Sequence, residues 1–504
     1  MKLNWRYILS LFGILLLMES FFMMVTTGVA LYYSFMAGDN DWSAFAITTA
    51  ITITAGLLLW LPNRKHHPEM TMRESFLIVA LTWILFSLFG MLPYLLSGSY
   101  DSITNAFFET MAGFTTTGCS SFVELEVLPH GILFWRAITQ WMGGLGIVVF
   151  SLALLPHFGQ GGTQMFNAEV PGLGVEKIRP RIQNTSRRLW GIYLVLTILC
   201  GVCYWLCDMS AFDAVCHSLA TLSSGGISTH SESLGYFHSP AIECVAMVFM
   251  FITGINYSLF YFTGIGRWRL MWRNEELRVY CNMIVWMTLF FLILGTLSTF
   301  FFSDTTPEQI AAMGDGSFLT ALRTFLFHTV SMVSSTGFLG EHYDYQLWGT
   351  AFWIPTLALM VMGGCAGSTA GGLKVVRFTV LARTALNEVH QQVNPRVYTA
   401  VRLNGHTLVT ETLYKVMAFL LIYLIFIVLS IFVLLCVGLD LETSLGTTIS
   451  AFGNTGLGIG STGPSFSWGD IPDFGKWYLC LVMLAGRLEI FTIVVLFTRS
   501  FWRK

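Results

Sequence analysis

Four short stretches of this chain carry nearly the same text. Thr110–Ser120 reads TMAGFTTTGCS, Thr221–Thr229 TLSSGGIST, Ser331–Gly340 SMVSSTGFLG and Ser450–Gly460 SAFGNTGLGIG. Aligned on the glycine that closes each hydroxyl-rich run, they put Gly118, Gly226, Gly337 and Gly456 in register, at intervals of 108, 111 and 119 residues. A unit of about 110 residues thus recurs four times, and such a period constrains the architecture more than any local propensity. Each run follows a short, mostly apolar segment opening near an acid, Asp101, Asp213, Asp315 or Glu442, which predicts a short helix aimed at a glycine turn.

The chemistry suited to such turns is cation dehydration. An ion leaving water needs several oxygens, and the backbone carbonyls of an extended Thr/Ser-Gly strand can replace its hydration shell. Glycine permits the left-handed backbone that lets consecutive carbonyls point the same way. The candidate filter triplets are Thr116-Thr117-Gly118, Ser224-Gly225-Gly226, Ser335-Thr336-Gly337 and Asn454-Thr455-Gly456. None carries a charge, which disfavours calcium or sodium pores built on acidic rings. The ordinary alternative, that these are helix C-caps or loops, explains one motif better than four at a fixed spacing.

With 54% hydrophobic and 11% charged residues among 504, against ~25% charged in soluble domains, the chain reads as a polytopic membrane protein. Runs such as Leu421–Leu435 support this. A net charge of −2 offers no basic tract for nucleic acid, and the ten cysteines show no paired metal-ligand spacing. No cofactor is expected. The N-terminal apolar segment is longer than a signal h-region and reads as a retained anchor.

Two apolar segments, about Tyr7–Met36 and Trp42–Leu61, precede the first repeat as an N-terminal addition (1–70). Four repeats follow, at 71–160, 161–270, 271–400 and 401–504, each an outer helix, a short re-entrant helix, a turn and an inner helix. The outer helices are expected at about Ser75–Leu96, Leu189–Cys207, Val279–Phe302 and Leu413–Val437. The inner ones are expected at about Gly131–Leu155, Ala241–Ile265, Trp348–Val380 and Gly475–Phe497. The fold class is therefore an all-α polytopic membrane protein: four pseudo-fourfold helix–pore loop–helix repeats around one central pore, plus two extra N-terminal transmembrane helices. Ten crossings result, with both termini on the cytoplasmic side. Basic residues agree with that orientation: 23 of the 27 Lys and Arg fall at alternate connections, leaving Arg136, Arg323, Lys476 and Arg487.

Two exceptions suggest mechanism. The third inner helix is interrupted by Gly363–Gly372, GGCAGSTAGG. Broken backbone at membrane depth is tolerated where protein or a water-filled cavity satisfies it, so Gly363, Gly364, Gly367, Ser368, Thr369, Gly371 and Gly372 are candidate gate residues beneath the filter. A small-residue packing face is the other reading. Arg487, within MLAGRLEIFTIVVLF, is an intramembrane charge that faces a cavity or a partner. A guanidinium lining the path would repel cations and set a barrier; a structural pairing with another helix is the alternative. Glu489, two positions on, points to a different helix face and should not be its main partner.

Arg136 is expected to anchor at the membrane interface, and Arg323 to pair with an acid that the sequence does not specify. His217 and His328 each stand nine residues before a repeat glycine, with Glu109 and Thr447 at the same offset. Hydrogen bonding that steadies the short helix is preferred there over a proton relay.

These features together resemble the Trk/Ktr/HKT superfamily of potassium transporters, most closely its bacterial TrkH/TrkG subgroup. The likeness runs over nearly the whole chain: the two extra N-terminal helices, FWRAITQWMGGLGIVVF (Phe134–Phe150), SSGGISTH (Ser223–His230), the interrupted third inner helix and GRLEIFTIVVLF (Gly486–Phe497). The resemblance implies one pore per chain, a quarter of the filter from each repeat, and potassium preference from the four glycines. It also implies a gate at 363–372 with Arg487 as barrier, a homodimer in the bacterial inner membrane, and a cytoplasmic ring of nucleotide-binding TrkA-type regulatory subunits. The chain itself has no GxxxxGK[ST] loop, so the driving force would be the ion gradient and voltage. A proton- or sodium-coupled symporter of the same fold is the alternative. A membrane enzyme or haem carrier is disfavoured, since HExxH and CxxCH motifs are absent.

Overall fold

The computed structural model describes residues 3–64, 71–144, 146, 182–301, 306–314, 317–342, 344–394 and 400–503. The far end of the first inner helix, expected to reach Leu155, lies outside the described residues, as do Asp315, Lys177, Arg179, Arg181 and Arg396. Helices dominate, and the one ladder among the described residues is a two-residue antiparallel pair, Arg402–Leu403 with His406–Thr407.

The N-terminal helices Trp5–Met36 and Trp42–Trp60 pack closely: a Cβ on Gly13 would overlap the backbone of Gly56 and Trp60. The longer one also lies against the first outer and inner helices. The outer helices run Met72–Gly90 (continued by Leu92–Leu96), Ile182–Leu206, Glu275–Phe301 and Thr410–Val437. Each is followed by a short helix: Ile103–Phe114, Ala211–Ser223, Phe318–Val333 and Leu441–Gly453. Ser210 and Asp440 cap two of these by accepting from the backbone N–H of Asp213 and Thr443. At 12 to 16 residues the short helices fall below the ~20 residues that span a bilayer.

Among the described residues six helices are long and apolar enough to cross a membrane, or seven counting one bent pair. The distance from ten crossings lies in the inner helices: the first is described only to Gly144, and the other three are broken, two of them where the sequence suggests no break. The third stops at Met362 and resumes at Val375, as expected. The second also breaks, between Pro240–Thr253 and Tyr257–Gly264, with a bend of 92°. The fourth breaks between Asp473–Arg487 and Phe491–Leu496, where Glu489 takes φ +51°.

The second and third breaks satisfy each other. Cys365 N–H donates to the Gly254 carbonyl at 2.8 Å, and Tyr257 N–H donates to the Gly367 carbonyl at 3.1 Å. Backbone groups freed from one helix thus find partners on the other, as buried polar backbone requires. The sequence signals, Gly254-Ile255-Asn256 and Gly486-Arg487-Leu488-Glu489, are short and sit in otherwise apolar text.

Candidate functional site

The four hydroxyl–glycine turns adopt one backbone conformation. Thr116, Ser224, Ser335 and Asn454 are all left-handed, with φ of +54°, +57°, +52° and +53°. Two residues later Gly118, Gly226, Gly337 and Gly456 are left-handed again, at +81°, +69°, +75° and +81°. A non-glycine residue with positive φ is uncommon; four at equivalent positions mark a conformation the surrounding packing enforces.

The turns also meet one another in cyclic order. A Cβ on Gly118 would overlap the Gly225 carbonyl oxygen; on Gly226, that of Thr336; on Gly337, that of Thr455; and on Gly456, that of Thr117. The first repeat therefore touches the second, the second the third, the third the fourth and the fourth the first. Glycine is required at each place for two reasons: its φ, and the absence of a side chain where the next repeat's carbonyl passes. All twelve triplet residues thus converge on one ring, and Gly118, Gly226, Gly337 and Gly456 line a single cavity of about 250 Å³ at one end of it.

Side chains brace the ring unequally. Thr115 and Thr117 pair through their hydroxyls at 2.8 Å, as do Ser334 and Thr336 at 2.7 Å. The second and fourth turns cannot form this pair, because Gly225 and Gly453 occupy one partner position each. In the second, Gln140 substitutes: its Nε2 donates to the Gly225 carbonyl at 2.7 Å and its Oε1 accepts from Ile227 N–H at 3.1 Å. In the fourth, Asn454 Nδ2 donates to Thr117 Oγ1 at 2.9 Å and to the Met483 carbonyl at 3.1 Å. Sequence reading missed Gln140; an amide inside an apolar inner helix was the available signal.

The residues nine before each glycine tie the short helices to the chain beyond the turns. Glu109 accepts from Ser121 N–H at 3.0 Å, His217 Nε2 lies 2.9 Å from Ser228 Oγ, His328 Nε2 2.9 Å from Thr356 Oγ1, and Thr447 Oγ1 2.9 Å from Thr462 Oγ1. This is the steadying role expected of them.

Arg136 corrects its expectation. Rather than anchoring at an interface, it is buried behind the first two turns, where its guanidinium donates to Glu109 at 2.9 Å, the Ser228 carbonyl at 3.2 Å and Ser120 Oγ at 3.0 Å. Helical position alone does not report that the loops after the turns fold back over it. Arg323 pairs with two acids, Glu243 at 2.9 Å and Glu341 at 2.8 Å.

The interrupted segment lies against the other end of the ring. Thr369 Oγ1 is 2.7 Å from Ser224 Oγ, Gly371 N–H donates to Ser335 Oγ at 2.6 Å, and a Cβ on Gly371 would overlap the Gly453 carbonyl. Gly363 and Gly372, both left-handed, approach each other where the loop leaves and re-enters the helix. Gly364 accepts from Val375 N–H at 3.0 Å, Ser368 Oγ donates to the Cys365 carbonyl at 2.6 Å, and Ala366 N–H donates to Glu276 at 2.6 Å.

Arg487 reaches across to hold this loop. Its guanidinium donates to the Thr369 carbonyl at 2.8 Å and to the carbonyls of Gly143 and Gly144, the last at 2.6 Å. The glycine carbonyls belong to His130–Gly144 of the first inner helix, and that of Gly143 also accepts from Gly146 N–H at 3.0 Å. Glu489 accepts from Arg377, which also lies 4.2 Å over the Phe419 ring. Ring, loop and guanidinium thus form one stack: cavity, four glycines, four left-handed residues, loop.

Comparisons with known proteins extend over nearly the whole chain. A family model for TrkH, described as a cation transport protein, matches residues 42–504. The chain is 37% identical to the Trk system potassium uptake protein TrkH of Escherichia coli strain K12 over 505 residues, covering 100% of each chain. It is 34% identical to the Trk system potassium uptake protein TrkG of the same strain, covering 99% of each. The crystal structure of the potassium transporter TrkH from Vibrio parahaemolyticus superposes with a TM-score of 0.86 at 34% identity, covering 99% of this chain and 100% of that one.

Proposed function

The chain belongs to the TrkH family of cation transport proteins, and we propose that it takes up potassium across the bacterial inner membrane along the axis its four turns share. The cyclic contact of each glycine with the next repeat's carbonyl carries this reading, because it brings main-chain oxygens from all four quarters to one ring. The names of its relatives support potassium as the substrate.

In this reading a dehydrated ion enters from the cavity side, with Thr116–Gly118, Ser224–Gly226, Ser335–Gly337 and Asn454–Gly456 as filter, their carbonyls replacing water. The segment 363–372 is the gate, closing the cytoplasmic end of the filter. Arg487 keeps it there and adds a positive charge that opposes a cation leaving the filter. Inward movement follows the membrane voltage, about 2.3 kcal/mol per charge per 100 mV. Both termini face the cytoplasm, two copies assemble as a homodimer of pores, and a TrkA-type cytoplasmic subunit controls opening.

One observation favours the coupled alternative, a proton symporter of the same fold. Glu19, in the first helix, is fully buried, and among the described residues neither carboxyl oxygen has a partner, a costly arrangement for a charged group. It lies beside Gly90 near Thr110 of the first short helix.

Growth on low potassium of a bacterium lacking its own uptake systems tests the main reading. Rescue together with the cognate regulatory subunit is expected, and no rescue with the protein present in the membrane would overturn it. Acidification coupled to uptake, abolished by Glu19→Gln, would transfer the assignment to the symporter.

A further inference from the structure

The loop is held by oxygens that a cation could use. At the inner end of the ring the Ser224 and Ser335 hydroxyls face the loop, and each is engaged by it: Ser224 by the Thr369 hydroxyl, Ser335 by the Gly371 N–H. Ser335 Oγ accepts in that bond, so one of its lone pairs is taken. All three side chains are at most 1% exposed. Their equivalents in the other turns behave differently: Thr116 sets its methyl against Gly143, and Asn454 bonds to Thr117 and Met483. The loop therefore engages hydroxyls of adjacent quarters, the second and third.

We propose that the Ser224 and Ser335 hydroxyls form an innermost cation site that becomes available when the loop leaves, so that a permeating alkali cation and the docked loop compete for the same oxygens. A hard cation takes hydroxyl and carbonyl oxygens as ligands, and the carbonyls that meet the neighbouring glycines, those of Gly225 and Thr336 among them, belong to the residues next to Ser224 and Ser335. The loop supplies a neutral N–H and a hydroxyl to the same two atoms. Only one set of partners is satisfied at a time, so ion occupancy at the inner end opposes loop docking, and by linkage loop docking expels the ion. The inference rests on the proposed function, in assigning the ring to ion passage and the loop to closure.

Cys365 provides a built-in reporter. It lies within the loop, is a free thiol, and is 1% exposed while its N–H is held by the Gly254 carbonyl. Its alkylation by N-ethylmaleimide, followed by mass spectrometry of the purified full chain, reads loop displacement directly. Potassium replacing a large organic cation at constant ionic strength is expected to raise the Cys365 rate, while the Cys480 rate, on the fourth inner helix, stays level. Ser224→Ala with Ser335→Ala is expected to abolish that ion dependence. Thr369→Val should raise the rate about fivefold without added potassium, the factor that one net hydrogen bond of ~1 kcal/mol represents.

Cys365 labelling indifferent to potassium, or equally responsive in the double serine variant, would overturn the inference. Rubidium flux in liposomes made from the same preparations separates the failures. Flux with an unresponsive Cys365 sinks only the competition; absence of flux from the wild-type protein with its regulator sinks the reading beneath it.

Discussion

Arg136 Nε and Glu109 Oε1 face each other at 2.9 Å with 1% and 0% of their side chains exposed. The pair joins an inner helix to a short helix directly behind the ring, and through Ser120 and Ser228 it reaches the exits of two turns. A buried ion pair contributes little net stability relative to an apolar replacement, but removing one partner strands a charge at ~3–5 kcal/mol.

Arg136→Met is therefore expected to lower the thermal unfolding midpoint in detergent markedly. Arg136→Met combined with Glu109→Gln should recover most of the loss. Equal damage from the single and double variants would show that Arg136 acts through its bonds to Ser120 and Ser228 instead.

Gly118→Ser places a Cβ on the Gly225 carbonyl and a side chain at φ +81°. The potassium-to-sodium flux ratio should fall at least tenfold, a ~1.4 kcal/mol change in relative barriers. Gly28→Ser, at a helix position with no atom within 4 Å of the added Cβ, is the control and should leave the ratio unchanged.

Gln140→Leu removes the two hydrogen bonds that brace the second turn while keeping side-chain volume. Selectivity is expected to weaken with normal expression, and Gln140→Glu, which retains the acceptor for Ile227 N–H but loses the donor to Gly225, should fall between. Wild-type ratios in both would assign the bracing to the backbone alone.

Arg487→Ala should raise basal rubidium flux, because three backbone carbonyls lose their common donor and the loop its tether. Arg487→Lys keeps the charge but cannot fork to three oxygens, so an intermediate flux is expected. Lower flux from Arg487→Ala in folded protein would mark the residue as structural.

The period of the four turns was legible because it depends on residue type at fixed offsets, and the same offsets yield the left-handed φ values. Gly363–Gly372 was equally visible, ten residues of small and polar text where apolar text is the rule. The breaks at Gly254 and Glu489 were hidden because each depends on a partner far along the chain: the Gly254 carbonyl on Cys365, and Glu489 on Arg377. Arg136 was misplaced for a related reason. Its depth along a helix gives distance from the membrane surface but says nothing of the chain folded back over it, and Glu109 is separated from it by a turn and a loop.

Because the ring closes within a single polypeptide, its quadrants are free to drift apart in a way four identical subunits cannot. Threonine, serine, serine and asparagine already stand at equivalent corners, and two quadrants borrow support from Gln140 and Asn454 where the others rely on paired hydroxyls. In the proposed reading a substitution here alters one quarter of the filter, so ion preference is adjustable corner by corner without an intermediate altered on all sides at once.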